Sequence, residues 1–210
     1  MRLTQSLLIP VIAGAMTLAA QNCSTVPGAT DSDGSVSANA TFSVGNGTVT
    51  VTVSNSLADP RSAGQLLNGV SFTLTSGLTG GTLASDLAQL RRVNSGGTFI
   101  DTPGGPSDMG WALDPNFNGG YFLCVLCTDL GGTGPKHLLI GDPALSGTYA
   151  SANASIAGNK PHNPFTSGTA TFTINVPGVM ASDSVNSATF FFSTQEGVSV
   201  AGSCIGGGLQ

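Results

Sequence analysis

Few side chains in this 210-residue chain can do chemistry: two histidines, four cysteines, one tryptophan and eleven carboxylates. His137 and His162 could in principle join a serine and an aspartate in a hydrolase triad. Serine and aspartate are too abundant to be informative, and no Gly-x-Ser-x-Gly elbow occurs. Glu196 is the sole glutamate, so a glycosidase would have to rely on paired aspartates, and no pair stands out. Asp31-Ser32-Asp33-Gly34-Ser35 begins like a calcium loop, but Phe42 stands where the twelfth-position carboxylate belongs. Trp111 is either a platform on which a sugar stacks or an anchor in the core, and its apolar neighbours favour the anchor. Neither a phosphate-binding nor a dinucleotide fingerprint is present. The expectation is no catalytic residues, no metal and no cofactor.

Cys124-Val-Leu-Cys127 has the spacing of redox and zinc sites. A thioredoxin-type pair needs a helix N-terminus to stabilise its thiolate, and this one sits in the strand-like run Tyr121–Cys127. A four-cysteine zinc site needs two close pairs, whereas Cys23 and Cys204 each stand alone. An even cysteine count in an exported chain favours disulfides. Of the three possible connectivities, the preferred one is Cys124–Cys127 with Cys23–Cys204. The latter closes a long loop worth about 4–5 kcal/mol in the entropic account. A flat strand does not accept an i,i+3 disulfide, so Cys124–Cys127 requires a turn or bulge.

These residues must be positioned by a chain in which only 8% are charged and 30 are glycine, with a net charge of −5. Scattered, scarce basic residues exclude a nucleic-acid binder. The absence of Glu/Lys/Leu heptads excludes a long coiled coil. Met1-Arg2, the apolar run Leu7 to Ala20 and the small residues before Gln21 match a secretory signal, residues 1–20, with cleavage near Ala20. Asn22 before Cys23 departs from a lipidation signal. No later stretch is long enough for a membrane helix.

Residues 21–38 read as a flexible leader, 39–205 as a single domain and 206–210 as a disordered tail. Phe42 and Val44, then Val49, Val51 and Val53, alternate with Ser and Thr around Gly45-Asn46-Gly47, which marks a hairpin. Alternation recurs at Val70–Leu74 and Ala170–Val176. Phe190-Phe191-Phe192 indicates a strand covered on both faces. Gly97–Ile100, Gly110–Leu113, Tyr121–Cys127 and His137–Ile140 are weaker strand candidates, separated by Gly/Pro turns such as Asp114-Pro115. Leu83, Leu87 and Leu90 give residues 83–93 helical spacing, so one short helix is expected there. The fold class is all-β: a single antiparallel β-sandwich, jelly-roll or immunoglobulin-like, with a β-barrel as the alternative.

Three stretches carry a family likeness: Gly134-Pro-Lys-His-Leu-Leu-Ile-Gly-Asp-Pro143 followed by Gly147 through Phe165, the segment Asn55 through Leu74, and Gly110-Trp-Ala-Leu113. Together they resemble bacterial exosortase-associated (PEP-CTERM-type) surface proteins over roughly residues 40 to 195. The resemblance implies export and display on the cell envelope or in extracellular matrix, and it supplies no catalytic residues. Such proteins finish with a Pro-Glu-Pro motif, an apolar helix and a basic tail. Here the last residues are Gly206-Gly-Gly-Leu-Gln210, so a secreted relative without the sorting segment is expected.

Pro161 and Pro164 fix φ on either side of His162 and Asn163, making a rigid loop. His162, Asn163 and Trp111 are the candidate ligand-binding residues. The expected function is a non-enzymatic structural or adhesive protein, secreted or on the cell surface, with extracellular polysaccharide or other envelope proteins as partners. A secreted carbohydrate-binding module is the first alternative and a secreted hydrolase the second.

Overall fold

The computed structural model describes residues 20–102 and 109–206. Apart from Ala20 and Gly206, the export signal and the C-terminal tail lie outside the described residues, as does the Pro103–Pro106 turn. The described chain is all-β. Its strands are β1 (Gln21–Thr25), β2 (Thr30–Asp31), β3 (Gly34–Ser35), β4 (Ala38–Gly45), β5 (Thr48–Asn55), β6 (Leu67–Leu74) and β7 (Thr82–Val93). There follow β8 (Phe99–Asp101), β9 (Ala112–Phe117), β10 (Gly120–Cys124), β11 (Leu139–Ile140), β12 (Phe165–Asn175), β13 (Val185–Phe192) and β14 (Ser199–Ile205).

The sheet runs β12-β5-β4-β1-β14-β13-β6, and β11 closes it by pairing with both β6 and β12, giving an eight-stranded barrel. Strands β7 and β8 extend the sheet beyond β12, while β10 and β9 extend it beyond β6. The barrel, rather than the single sandwich, therefore describes the architecture. The closing strand is two residues long: Leu139 pairs with Leu67 on one side and Thr166 on the other. Closure removes two sheet edges that a sandwich would have to protect.

The alternating segments form strands as their pattern requires. In β5 the valines are buried and the threonines half-buried, and β4 places Phe42 opposite Val51 and Ala40 opposite Val53. The turn between them is Asn46-Gly47, where Gly47 takes the positive φ (80°) that the reversal needs. Phe172 and Ile174 of β12 are buried as well. Phe72 joins Phe42 to Tyr121, with ring centroids at 5.0 and 5.1 Å. Each such side chain contributes about 1.5–3 kcal/mol on burial. The apolar faces point into the barrel core, the reverse of a barrel that presents its apolar side to lipid.

Three expectations are corrected. Residues 83–93 form strand β7 rather than a helix: pairing with β12 from Phe165 to Asn175 overrides a weak helical stripe, and Leu87 is left 42% exposed. Residues 21–25 are not a leader but β1, hydrogen-bonded between β4 and β14 with Cys23 buried. Asp114-Pro115 does not interrupt the sheet. It lies within β9, at the end of the strand order, where a missing N–H is tolerated.

Candidate functional site

Both expected disulfides form, and no cysteine is free. Cys124 ends β10, and a 3-10 turn at Thr128–Leu130 follows Cys127. The bend at Val125-Leu126, between the two cysteines, supplies the reversal an i,i+3 bridge needs, and their Cα atoms lie 5.7 Å apart.

The sequence-flagged polar residues face the protein's own backbone. His137 Nδ1 lies 2.7 Å from the Met109 carbonyl, and His162 Nδ1 lies 2.7 Å from the Ser155 carbonyl. Among the described residues, no serine or aspartate side chain hydrogen-bonds either imidazole. Asn163 is 6% exposed. Its Oδ1 accepts the Val93 amide at 2.8 Å, and its Nδ2 donates to the carbonyls of Val93 and Asn159. The side chain thus extends β7 by one strand-like step. Trp111 is 4% exposed, packs on Phe172 at 5.1 Å and donates from Nε1 to the His137 carbonyl. These three candidates are therefore not gathered into one exposed site. His162 and Asn163 share a loop, while Trp111 anchors the core beside β12.

A second polar cluster is built on Arg91. Its guanidinium makes a bidentate pair with Asp101 at 2.7 and 2.8 Å and donates from Nη1 to the Tyr149 hydroxyl at 2.9 Å. That hydroxyl donates onward to the Gly141 carbonyl, and the Phe99 ring lies 3.9 Å from the guanidinium carbon. Burial works against the Arg91 charge, but Asp101 and the Tyr149 hydroxyl more than offset it and hold the group protonated. Burial raises the Tyr149 phenol above its ordinary range. The cluster ties β7 and β8 to the 141–149 loop, and the protein itself satisfies the guanidinium.

The calcium-like segment forms the β2–β3 hairpin. Asp31 Oδ1 accepts the Asp33 amide, its Oδ2 is buried without a partner among the described residues, and burial raises the carboxyl's pKa. No group of three metal-ligating side chains exists among the described residues.

Sequence reasoning missed a broad surface concavity. A groove of about 430 Å³ lies across the outer side of β13, β6, β10 and β9. Phe117, Phe122 and Phe191 line it, with Phe122–Phe191 centroids at 4.6 Å and Phe117–Phe122 at 4.7 Å. Leu126, Cys127 and Leu130 form a further wall; the carboxylate residues Asp114 and Glu196 also line it. Asn68, 2% exposed, contributes as well, and its Nδ2 is held by the carbonyls of Phe192 and Ser193 at 2.6 and 2.9 Å. The Phe190–Phe192 run held the one signal for this groove. Phe190 and Phe192 enter the core, leaving Phe191 outside as part of an aromatic surface.

The chain matches no protein-family model, no curated protein and no solved structure. Fold and cysteine pairing define a disulfide-bridged all-β barrel with an external aromatic groove.

Proposed function

We propose that the protein is an exported, non-enzymatic module of the bacterial cell surface or extracellular matrix, with a structural or adhesive role. The observation that carries this reading is the oxidised pairing of all four cysteines, one bridge joining β1 to β14. Such bridges persist in oxidising compartments and are rare where thiols are kept reduced. The likeness to exosortase-associated surface proteins and the secretory pattern of residues 1–20 support the same reading. The non-enzymatic part rests on the imidazoles being turned to backbone carbonyls and on the Arg91 charge being matched internally. Extracellular polysaccharide and other envelope proteins are the proposed partners.

The carbohydrate-binding alternative loses its main prop, since Trp111 is buried and offers no stacking face. The hydrolase alternative has no histidine hydrogen-bonded to a serine or aspartate side chain among the described residues. A membrane-impermeant amine reagent applied to an intact native culture tests the proposal. Lys136 and Lys160 are exposed, and the reading predicts their labelling on cells or in the medium. Labelling only after cell lysis contradicts it.

A further inference from the structure

We infer that the aromatic groove on the outer face of β13, β6, β10 and β9 is a binding site for a small organic cation, an ammonium group carried on an apolar body. The inference stands apart from the export proposal, because it rests on the groove's own chemistry.

Three observations point to a cation. First, Phe117, Phe122 and Phe191 are tilted against one another, with Phe117–Phe191 at 81° and 6.1 Å and Phe122–Phe191 at 48°. Ring faces carry negative potential and attract a nearby ammonium. Second, the charged residues lining the groove are the carboxylates Asp114 and Glu196, and among the described residues no lysine or arginine lines it. Third, Asn68 offers the groove no free donor. Its amide nitrogen faces the carbonyls of Phe192, Ser193 and Gln195, which consume its hydrogens. The residue lines the groove with its donor already engaged by the chain. The side-chain polar groups here therefore accept hydrogen bonds or carry negative charge, whereas an anion or a strong acceptor would meet no side-chain donor.

The size fits a small molecule. A volume of about 430 Å³ falls in the range of small-ligand sites. Leu130, 51% exposed on the turn after the Cys124–Cys127 bridge, gives the apolar body a further wall. Three aromatic rings in mutual contact at one surface concavity are the kind of patch that marks recognition.

Three matched probes test the inference: 2-phenylethylammonium, 2-phenylethanol and 3-phenylpropanoate. Each is titrated into the folded, disulfide-intact chain while the aromatic NMR signals of Phe117, Phe122 and Phe191 are followed. The ammonium is expected to bind roughly fivefold or more tightly than the alcohol, with the carboxylate weakest. The Asp114→Asn/Glu196→Gln double variant should lose most of the ammonium's margin over the alcohol, keeping only the part the ring faces supply. Phe122→Ala should weaken both. Should Phe122→Ala fail to fold, the double variant still decides, because the side-chain carbonyl of Asp114→Asn can still accept the Asn116 amide that Asp114 holds. Equal binding of the three probes would overturn the inference. So would an ammonium preference left undiminished by the double variant, or unmoved groove signals at about 10 mM probe.

Discussion

Cys23 and Cys204 face each other directly across β1 and β14, Cα atoms 4.0 Å apart, in strands separated by 181 positions of sequence. The bridge thus fastens the first barrel strand to the last, and nearly the whole described chain lies within the loop it closes. Opening it frees the unfolded chain far more than the folded one. Replacing both residues with serine is expected to cost about 4–5 kcal/mol in the entropic account. Urea unfolding of the variant against the oxidised protein, with Cys124–Cys127 intact in both, reads this directly.

The Arg91–Asp101 pair makes a second prediction. Asp101→Asn leaves the guanidinium, 8% exposed, without its anionic partner. Breaking a buried pair costs about 3–5 kcal/mol, and partial exposure of Asp101 lowers this to about 2 kcal/mol. Thermal unfolding should show the loss. Because Arg91 stays charged throughout the accessible alkaline range, the loss should not vary between pH 7 and 10 on its account.

Asn163 separates a structural role from a ligand role. Its amide makes three hydrogen bonds to backbone groups of Val93 and Asn159. Asn163→Ala leaves the Val93 amide and carbonyl without these partners and should cost about 2–3 kcal/mol. Chemical denaturation measures that cost; an unchanged stability would return this loop to the candidate ligand sites.

Tyr121 is buried, stacks on Phe72 and has a hydroxyl with no partner among the described residues. Tyr121→Phe keeps the stack and removes the orphan oxygen, so stability should be unchanged or rise by up to about 1 kcal/mol. Burial raises this phenol's pKa. Above about pH 10 the unfolded chain releases a proton that the folded chain retains, so stability falls as pH rises through that window. Tyr121→Phe should therefore lose less stability between pH 9 and 11 than the parent, as unfolding curves across that range would show.

What the sequence made legible followed from periodicity. β4 and β5 alternate throughout, and β6 and β12 alternate in their later residues, because one face is buried there; those stretches were readable. The barrel closure was not, because β11 spans only Leu139–Ile140 and two residues carry no period. Gln21–Thr25 looked like leader because Asn22 and Ser24 point outward and Gln21 is buried through hydrogen bonds to Val185, which composition does not reveal. β7 was misread because the spacing of Leu83, Leu87 and Leu90 suits a helix locally, while the partner that decides the matter, β12, lies some 80 positions away. The groove was illegible for the same reason. Phe117, Phe122 and Phe191 belong to three strands, and only pairing through β6 assembles them. Both disulfides were legible because four cysteines leave few choices.

The central claim is an exported module whose barrel is locked by oxidised cysteines. Intact mass spectrometry of the native protein, alkylated before any reductant is added, tests it most directly. The claim predicts a chain recovered from the medium or cell surface, shortened at its N-terminus to begin near Gln21, with none of its four cysteines alkylated. A full-length chain from the cytoplasm, carrying alkylated Cys23 and Cys204, would contradict it.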